Sequence, residues 1–363
     1  DTFRDRKNGF VFGTNPSGIE YDGQVANEGE GTQRSAAART MQRGAGGGFN
    51  LNWDGSWEVD TSRDEGGWYA EFRIPFSTLR YGSGAVQDWG INVSRKIRRH
   101  NEEAFWAPIP REFNLYRLSF AGTLQGIQPP ATRSATITPY VLGSASRDYA
   151  AGEGEFSYPS EFGGEVKLQV TQGLTLDATY NTDFAQVEAD ESQVSLDRFN
   201  LFFPEKRPFF LENAGLFTVG KARQVELFFS RRIGLTRDGD IVPIDYGARV
   251  SGALGGVNVG AMYMQTDELA GVTPSNRFGV ARVNKELPNR SSIGAIFVSR
   301  ESRGDFSGLF ESNRTYGADA RWGIGEYGLI SGYVAGTSTP GLDGDESSWS
   351  LAGDYDSEPV SYT

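Results

Sequence analysis

Residues 202–210, FFPEKRPFF, hold Glu205, Lys206 and Arg207 between two prolines and two pairs of phenylalanines. Three adjacent charges of mixed sign compensate one another, and the four rings can anchor them to an apolar wall. That chemistry suits a poorly solvated place, where an unpaired charge is costly. Upstream, QVEADESQV (186–194) carries Glu188, Asp190 and Glu191; downstream, SRRIG (230–234) carries Arg231 and Arg232. Arg207, Arg231 and Arg232 are the candidates to neutralise that acidic run. Pro204 and Pro208 exclude a regular helix and disfavour a central strand, since neither can donate a main-chain hydrogen bond. The pattern predicts an inward-folded, plug-like element over 183–217, in a barrel lumen or mouth, acting as a structural lock or as a gate or ligand contact.

A second set of residues has the chemistry of sugar binding. Pyranose rings stack their C–H faces on flat aromatics, and their hydroxyls need planar polar partners. Trp53, Trp57, Tyr81 and Trp106 are the candidate platforms, because they lie near loops or strand ends. Asn92, Arg95, Asn101, Glu102 and Glu103 are candidate hydrogen-bonding partners. Trp68 and Trp89 fit the core better, and core packing competes for each of the other tryptophans as well.

Catalysis finds less support. Glycosidases need two carboxyls about 5–10 Å apart across one bond. Glu102 and Glu103 are adjacent, so on a strand they face opposite ways. Glu188, Asp190 and Glu191 sit among Gln186, Ser192 and Gln193 and read as a solvated polar segment. No nucleophile elbow, phosphate-binding loop or HExxH motif is present. The chain has one histidine, His100, and no cysteine, which excludes thiolate metal sites and makes a histidine-based metal centre or triad untenable. No catalytic residue, metal site or cofactor is assigned. The acidic, Gly-rich connections TRDGDIVPID (236–245), SRGDFSG (302–308) and GLDGDESS (341–348) permit structural calcium, but none has EF-hand spacing. A net charge of −12 argues against a nucleic-acid partner.

The elements that position these residues read as strands throughout. Trp68, Ala70, Phe72 and Ile74 alternate with Tyr69, Glu71 and Arg73 until Pro75 stops the strand; Trp89, Ile91 and Val93 form a second apolar face. Short strands with Gly and Asp turns over 1–127 predict an antiparallel β-sandwich. TLQGIQPPATRSA (123–135) leads out of it, with 128–135 as the linker stiffened by Pro129 and Pro130. Beyond it, Val166, Leu168 and Val170 alternate with Glu165, Lys167 and Gln169; Leu174, Leu176, Ala178 and Tyr180 with Thr175, Asp177 and Thr179; and Tyr316, Ala318, Ala320, Trp322 and Ile324 with Gly317, Asp319, Arg321 and Gly323. An apolar face backed by a charged one suits a lipid-facing exterior and a polar lumen. The mean hydropathy is −0.45 and no run of about 20 apolar residues occurs, so no transmembrane helix is expected, a test that barrel strands escape.

Two stretches also resemble known families. DFAQVEADESQVSLDRFNLFFPEKRPFFLENAGLF (183–217) is similar to the signature of a bacterial outer-membrane β-barrel family of unknown function, whose barrel usually follows a domain like carbohydrate-binding module family 9. WYAEFRIPFSTLRYGSGAVQDWGINVSRKIRRHNEEAFWAPIPR (68–111) looks like the C-terminal part of that module. The resemblance implies an all-β protein: the last part of a family-9-like sandwich over 1–127, then the first part of an outer-membrane barrel over 136–363, with both ends incomplete. It implies the outer-membrane bilayer and a carbohydrate as partners. The expected role is binding of a glycan or other envelope ligand, coupled to transport or anchoring. A carbohydrate-degrading hydrolase and a structural component of an envelope assembly are the alternatives.

Overall fold

The computed structural model describes residues 1–29, 48–131, 134–143, 145–147, 156–158, 160–182, 205–221, 225–236, 241–303, 312–342, 344 and 346–355. The chain is all-β. In the first 127 residues, β1 (Gly9–Gly13), β2 (Tyr21–Val25) and β3 (Phe49–Asn50) form one antiparallel sheet. β4 (Glu58–Asp64) pairs with β5 (Gly67–Arg73), β6 (Gln87–Ile91) with β9 (Gly122–Ile127), and β7 (Ser94–Ile97) with β8 (Glu102–Phe105). Leu79, Tyr81 and Trp89 are buried among Phe10, Phe12, Ile74, Phe76 and Ile127 as the core of this module. β6 ends at Ile91, so Val93 falls beyond it; Ile91 and Val93 are exposed and only Trp89 of that predicted face reaches the core.

A ten-stranded antiparallel sheet follows. Its members are β10 (Ala135–Gly143), β13 (Ser160–Thr171), β14 (Leu174–Tyr180), β17 (Ile244–Leu254), β18 (Val257–Thr266), β19 (Ser275–Leu287), β20 (Ser291–Arg303), β21 (Ser312–Ile324), β22 (Gly328–Ser338) and β23 (Ser347–Tyr355), in that spatial order. The pairs β11 (Ser146–Arg147) with β12 (Phe156–Ser157) and β15 (Gly220–Lys221) with β16 (Val225–Glu226) lie in the connections. Among the described residues β10 and β23 do not pair with each other, so the sheet is not closed.

The connections alternate in length. Residues 172–173, 255–256, 288–290 and 325–327 make tight turns at one end of the sheet, while 181–243, 267–274, 304–311 and 339–346 connect strands at the other. Gly255, Gly256 and Gly325 take positive φ in these turns, where a side chain would be strained.

The two faces of this sheet have opposite character. One is covered by residues 205–221 and 225–235, and its buried side chains include Gln169, Thr175, Asp177, Thr179, Arg249, Ser251, Thr266, Asn276, Arg282 and Ser292. The other is bare and apolar: Ile137, Val141, Phe162, Tyr316, Trp322, Val334, Trp349 and Leu351 are all more than half exposed. Register makes the bare face continuous. Ile137 lies opposite Val166, Val166 opposite Ala178, Ala178 opposite Ala248 and Ala248 opposite Tyr263. On the far strands Ala295 faces Ala318, Ala318 faces Val334 and Val334 faces Trp349.

Candidate functional site

The covered face is filled by the described residues 205–221 and 225–235 of the chain between β14 and β17, called the insert below. Pro208–Leu211 forms a single helical turn, with Pro208 at its first position, where the missing N–H had no partner to lose. The proline therefore starts a turn of helix, and Glu212 ends it in extended conformation. Phe209, Phe210, Phe217, Val219 and Ile233 of this insert pack on Ile244, Met262, Met264, Val280 and Ile296 of the sheet. The sheet is shaped to receive them. A Cβ on Gly260 would lie 2.6 Å from the ring of Phe217, and one on Gly317 2.5 Å from Leu227.

The charges of Glu205 and Arg207 are satisfied within the insert. Arg207 donates from Nε and Nη2 to the two oxygens of Glu205 at 2.8 and 2.7 Å, the planar fork that only arginine offers. Its remaining donors reach the carbonyls of Ile233 at 2.6 Å and Ser230 at 2.8 Å. The Ser230 hydroxyl donates to Glu205 at 2.8 Å, and the guanidinium lies 4.3 Å above the Phe210 ring. Burial opposes the Glu205 carboxylate, but the Arg207 contacts outweigh it and hold the group below its ordinary range. Lys206 and Arg231 are half-buried and Arg232 is exposed. Glu188, Asp190 and Glu191 lie outside the described residues, as do Phe202, Phe203 and Pro204.

A second charged cluster joins three parts of the chain. Register sets Lys167, Asp177 and Arg249 side by side on β13, β14 and β17, with Asp177 2.9 Å from Arg249 and 3.6 Å from Lys167. Glu212 of the insert lies 2.5 Å from Lys167 and 2.9 Å from Arg80 of the N-terminal module. Arg80 also donates to Thr175 at 2.9 Å. Glu212 is deeply buried, which works against its charge, yet Arg80 and then Lys167 prevail and hold its pKa down to about 2.

The module meets the same end of the sheet at several points. The Tyr81 amide donates to the Gln172 carbonyl at 3.2 Å, Arg290 lies 3.3 Å from Glu28, and Arg117 donates to the Glu326 carbonyl at 2.8 Å. Lys7 contacts Glu286 and the Ser291 carbonyl, and Phe113 stacks on Tyr327 at 6.0 Å. Asn50 and Asn52 donate to the carbonyls of Leu211 and Glu205 at 3.0 and 2.9 Å, which ties the insert to the module too.

The sugar-type residues do not converge. Trp53 is buried against Phe10 and Phe12, and Trp57 against Phe12 and Phe72. Tyr81 is 1% exposed, with its hydroxyl donating to Pro130 at 2.9 Å. Trp106 is 64% exposed and lies across Gly122. Asn92 braces the chain at Ala107, accepting from its amide at 2.8 Å and donating to its carbonyl at 3.1 Å. Arg95 covers the Trp68 ring at 4.9 Å, Asn101 is the left-handed residue of the β7–β8 turn, and Glu102 and Glu103 are exposed. The connections 236–245, 302–308 and 341–348 lie partly outside the described residues.

No helix among the described residues is long and apolar enough to cross a membrane. No curated protein and no solved structure matches the chain. Residues 130–244 match the family model described as a domain of unknown function (DUF5916), a span that takes in most of the linker, the strands β10, β13 and β14, and the whole insert up to the first residue of β17.

Proposed function

We propose that the ten-stranded sheet is wall of an outer-membrane β-barrel, stoppered by its own insert and fused to a module descended from a carbohydrate-binding sandwich. One observation carries this reading: the bare face of the sheet is apolar, while the covered face holds its buried charged and polar side chains, Asp177, Arg249 and Arg282 among them, beside the apolar patch that receives the insert. A water-soluble sheet with one covered face has the reverse polarity. Lipid solvates a bare apolar face, and a filled lumen accommodates the charged one. Tyr316 to Ile324 on β21 spans about 26 Å at ~3.3 Å per residue, close to the apolar height of such barrels. Aromatics on the bare face favour the same reading. Phe162 and Tyr180, Tyr246 and Tyr263, and Phe297 and Tyr316 sit in contact at 6.0, 6.2 and 5.1 Å, like an interfacial girdle on the side of the longer connections. Small barrels close with about eight strands; ten strands that stay open belong to a wider one.

The role that follows is non-enzymatic: binding of a glycan or other envelope ligand, coupled to its transport or to anchoring. The insert packs on the wall and closes a simple diffusion path, so passage requires its displacement. The glycan part of this reading rests on Trp106, since Trp53, Trp57 and Tyr81 are buried. The test is partition of the intact protein: it should enter detergent, resist high-salt extraction and show heat-modifiable gel mobility. Recovery as a folded, detergent-free monomer would sink the proposal.

A further inference from the structure

We infer that the N-terminal module is a second stopper, seated in the short-turn mouth of the sheet on the periplasmic side, and that it locks the insert in place. This rests on the barrel reading above. In outer-membrane barrels the short turns face the periplasm and the long loops face outward. The module touches three of the four short turns: 172–173 through Tyr81, 288–290 through Glu28, and 325–327 through Arg117 and Phe113. Lys7 adds contacts to Glu286 and the Ser291 carbonyl beside the second of these turns.

The same module holds the insert. Asn50, Asn52 and Gln24 bond the main chain of Leu211, Glu205 and Asn213, and Arg80 pairs with Glu212. Lys7, Glu28, Arg80 and Glu212 have side chains less than a tenth exposed, so these contacts are a sealed interface and not a loose tether. Geometry then sets an order of events. The insert is clamped between wall and module, so it swings away from the wall only after the module leaves the turns. A ligand or partner that lifts the module from the periplasmic side opens the barrel; one that binds only the external loops does not.

The chain has no cysteine, so introduced thiols report without background. Two single-cysteine variants of the intact protein in a bacterial outer membrane test the two parts. With Ser62→Cys, on an exposed module strand, a membrane-impermeant maleimide should react only after the outer membrane is permeabilised. Reaction in intact cells places the module outside and overturns the inference. With Thr218→Cys, on the insert, Lys7→Gln together with Glu28→Gln should speed labelling about tenfold through local opening. In a separate variant carrying Lys7→Cys and Glu286→Cys and no thiol on the insert, a short bismaleimide joining the two should suppress hydrogen exchange of the described backbone between 205 and 221. Unchanged labelling and unchanged exchange overturn the lock. Heat-modifiable mobility is read on every variant: its absence in the parent protein is a failure of the barrel reading, and its presence alongside the negative results is a failure of this inference alone.

Discussion

Arg80 of the N-terminal module and Glu212 of the insert meet at 2.9 Å with side chains 9% and 5% exposed, in a place where neither could be left alone. Lys167 completes the neutralisation of Glu212 from β13 of the sheet at 2.5 Å. Breaking a buried pair typically costs about 3–5 kcal/mol, and Lys167 still neutralises Glu212 in part, so Arg80→Met should destabilise the protein by about 3 kcal/mol, the lower end of that range. Arg80→Met with Glu212→Gln should cost less than the sum of the single changes, with a coupling of about 1–3 kcal/mol. Denaturant unfolding in detergent micelles measures this; strict additivity would show that the contact carries no energy.

The same carboxylate fixes a pH dependence. Its folded pKa of about 2 lies below the ordinary value of 4.5, so the charged form is the one that folding favours. The stabilisation is complete above about pH 4.5 and is lost as pH falls from there toward 2. Hydrogen exchange in the insert should accelerate over that window, and Glu212→Gln should flatten the response. An equally steep response in the Gln variant would assign the effect to other carboxylates.

Face polarity predicts a contrast between two arginines. Ala320 lies on the bare face in the middle of β21, and Ser350 on the opposite face of β23. Ala320→Arg should impair membrane assembly by about 2–4 kcal/mol, while Ser350→Arg should assemble normally. Folding titration into bilayers, read by gel mobility, decides it; equal tolerance of both would remove the case for a lipid-facing surface.

Shape complementarity between insert and wall is testable at Gly260. A valine there collides with the Phe217 ring, and overpacking of this kind costs about 1–3 kcal/mol. Adding Phe217→Ala to Gly260→Val should restore part of the loss, because the space vacated by the ring receives the new methyls. Thermal unfolding of the single and double variants gives the answer, and a double variant no better than Gly260→Val would mean that the two residues do not share that space.

The parts of this structure legible in the sequence are those governed by local period. The alternations at 166–170, 174–180 and 316–324 fall on β13, β14 and β21, with Leu168, Tyr316 and Trp322 on the bare face and Gln169, Thr175 and Asp177 covered. The compensation within FFPEKRPFF was visible for the same reason, since Glu205 and Arg207 are two positions apart. The junction was not. Arg80 sits between the core residues Leu79 and Tyr81 in FSTLRYG with no periodicity to mark it, and its partner is brought near only by the tertiary fold. Trp53 and Trp57 are candidate platforms by their place near loops or strand ends, with core packing as the competing role; Phe10, Phe12 and Phe72, brought in by the tertiary fold, decide for the core.

That burial sets the last prediction, on sugar binding. Stacking needs a free ring face, and of the four candidate platforms only Trp106 has one. Asn92 is committed to the Ala107 backbone and Arg95 to Trp68, so neither stands ready beside Trp106 as a free hydrogen-bonding partner. A lone platform without convergent polar groups binds weakly, since the hydroxyls of the sugar exchange water for nothing. Calorimetry of the intact protein in detergent against a panel of soluble glycans should therefore give dissociation constants no tighter than about millimolar, roughly −4 kcal/mol. Trp106→Ala should remove whatever binding there is, and Trp53→Ala should lower stability without a specific effect on affinity. Micromolar binding that depends on Trp106 would make the module a working glycan receptor, and the ligand that lifts it would then be a carbohydrate.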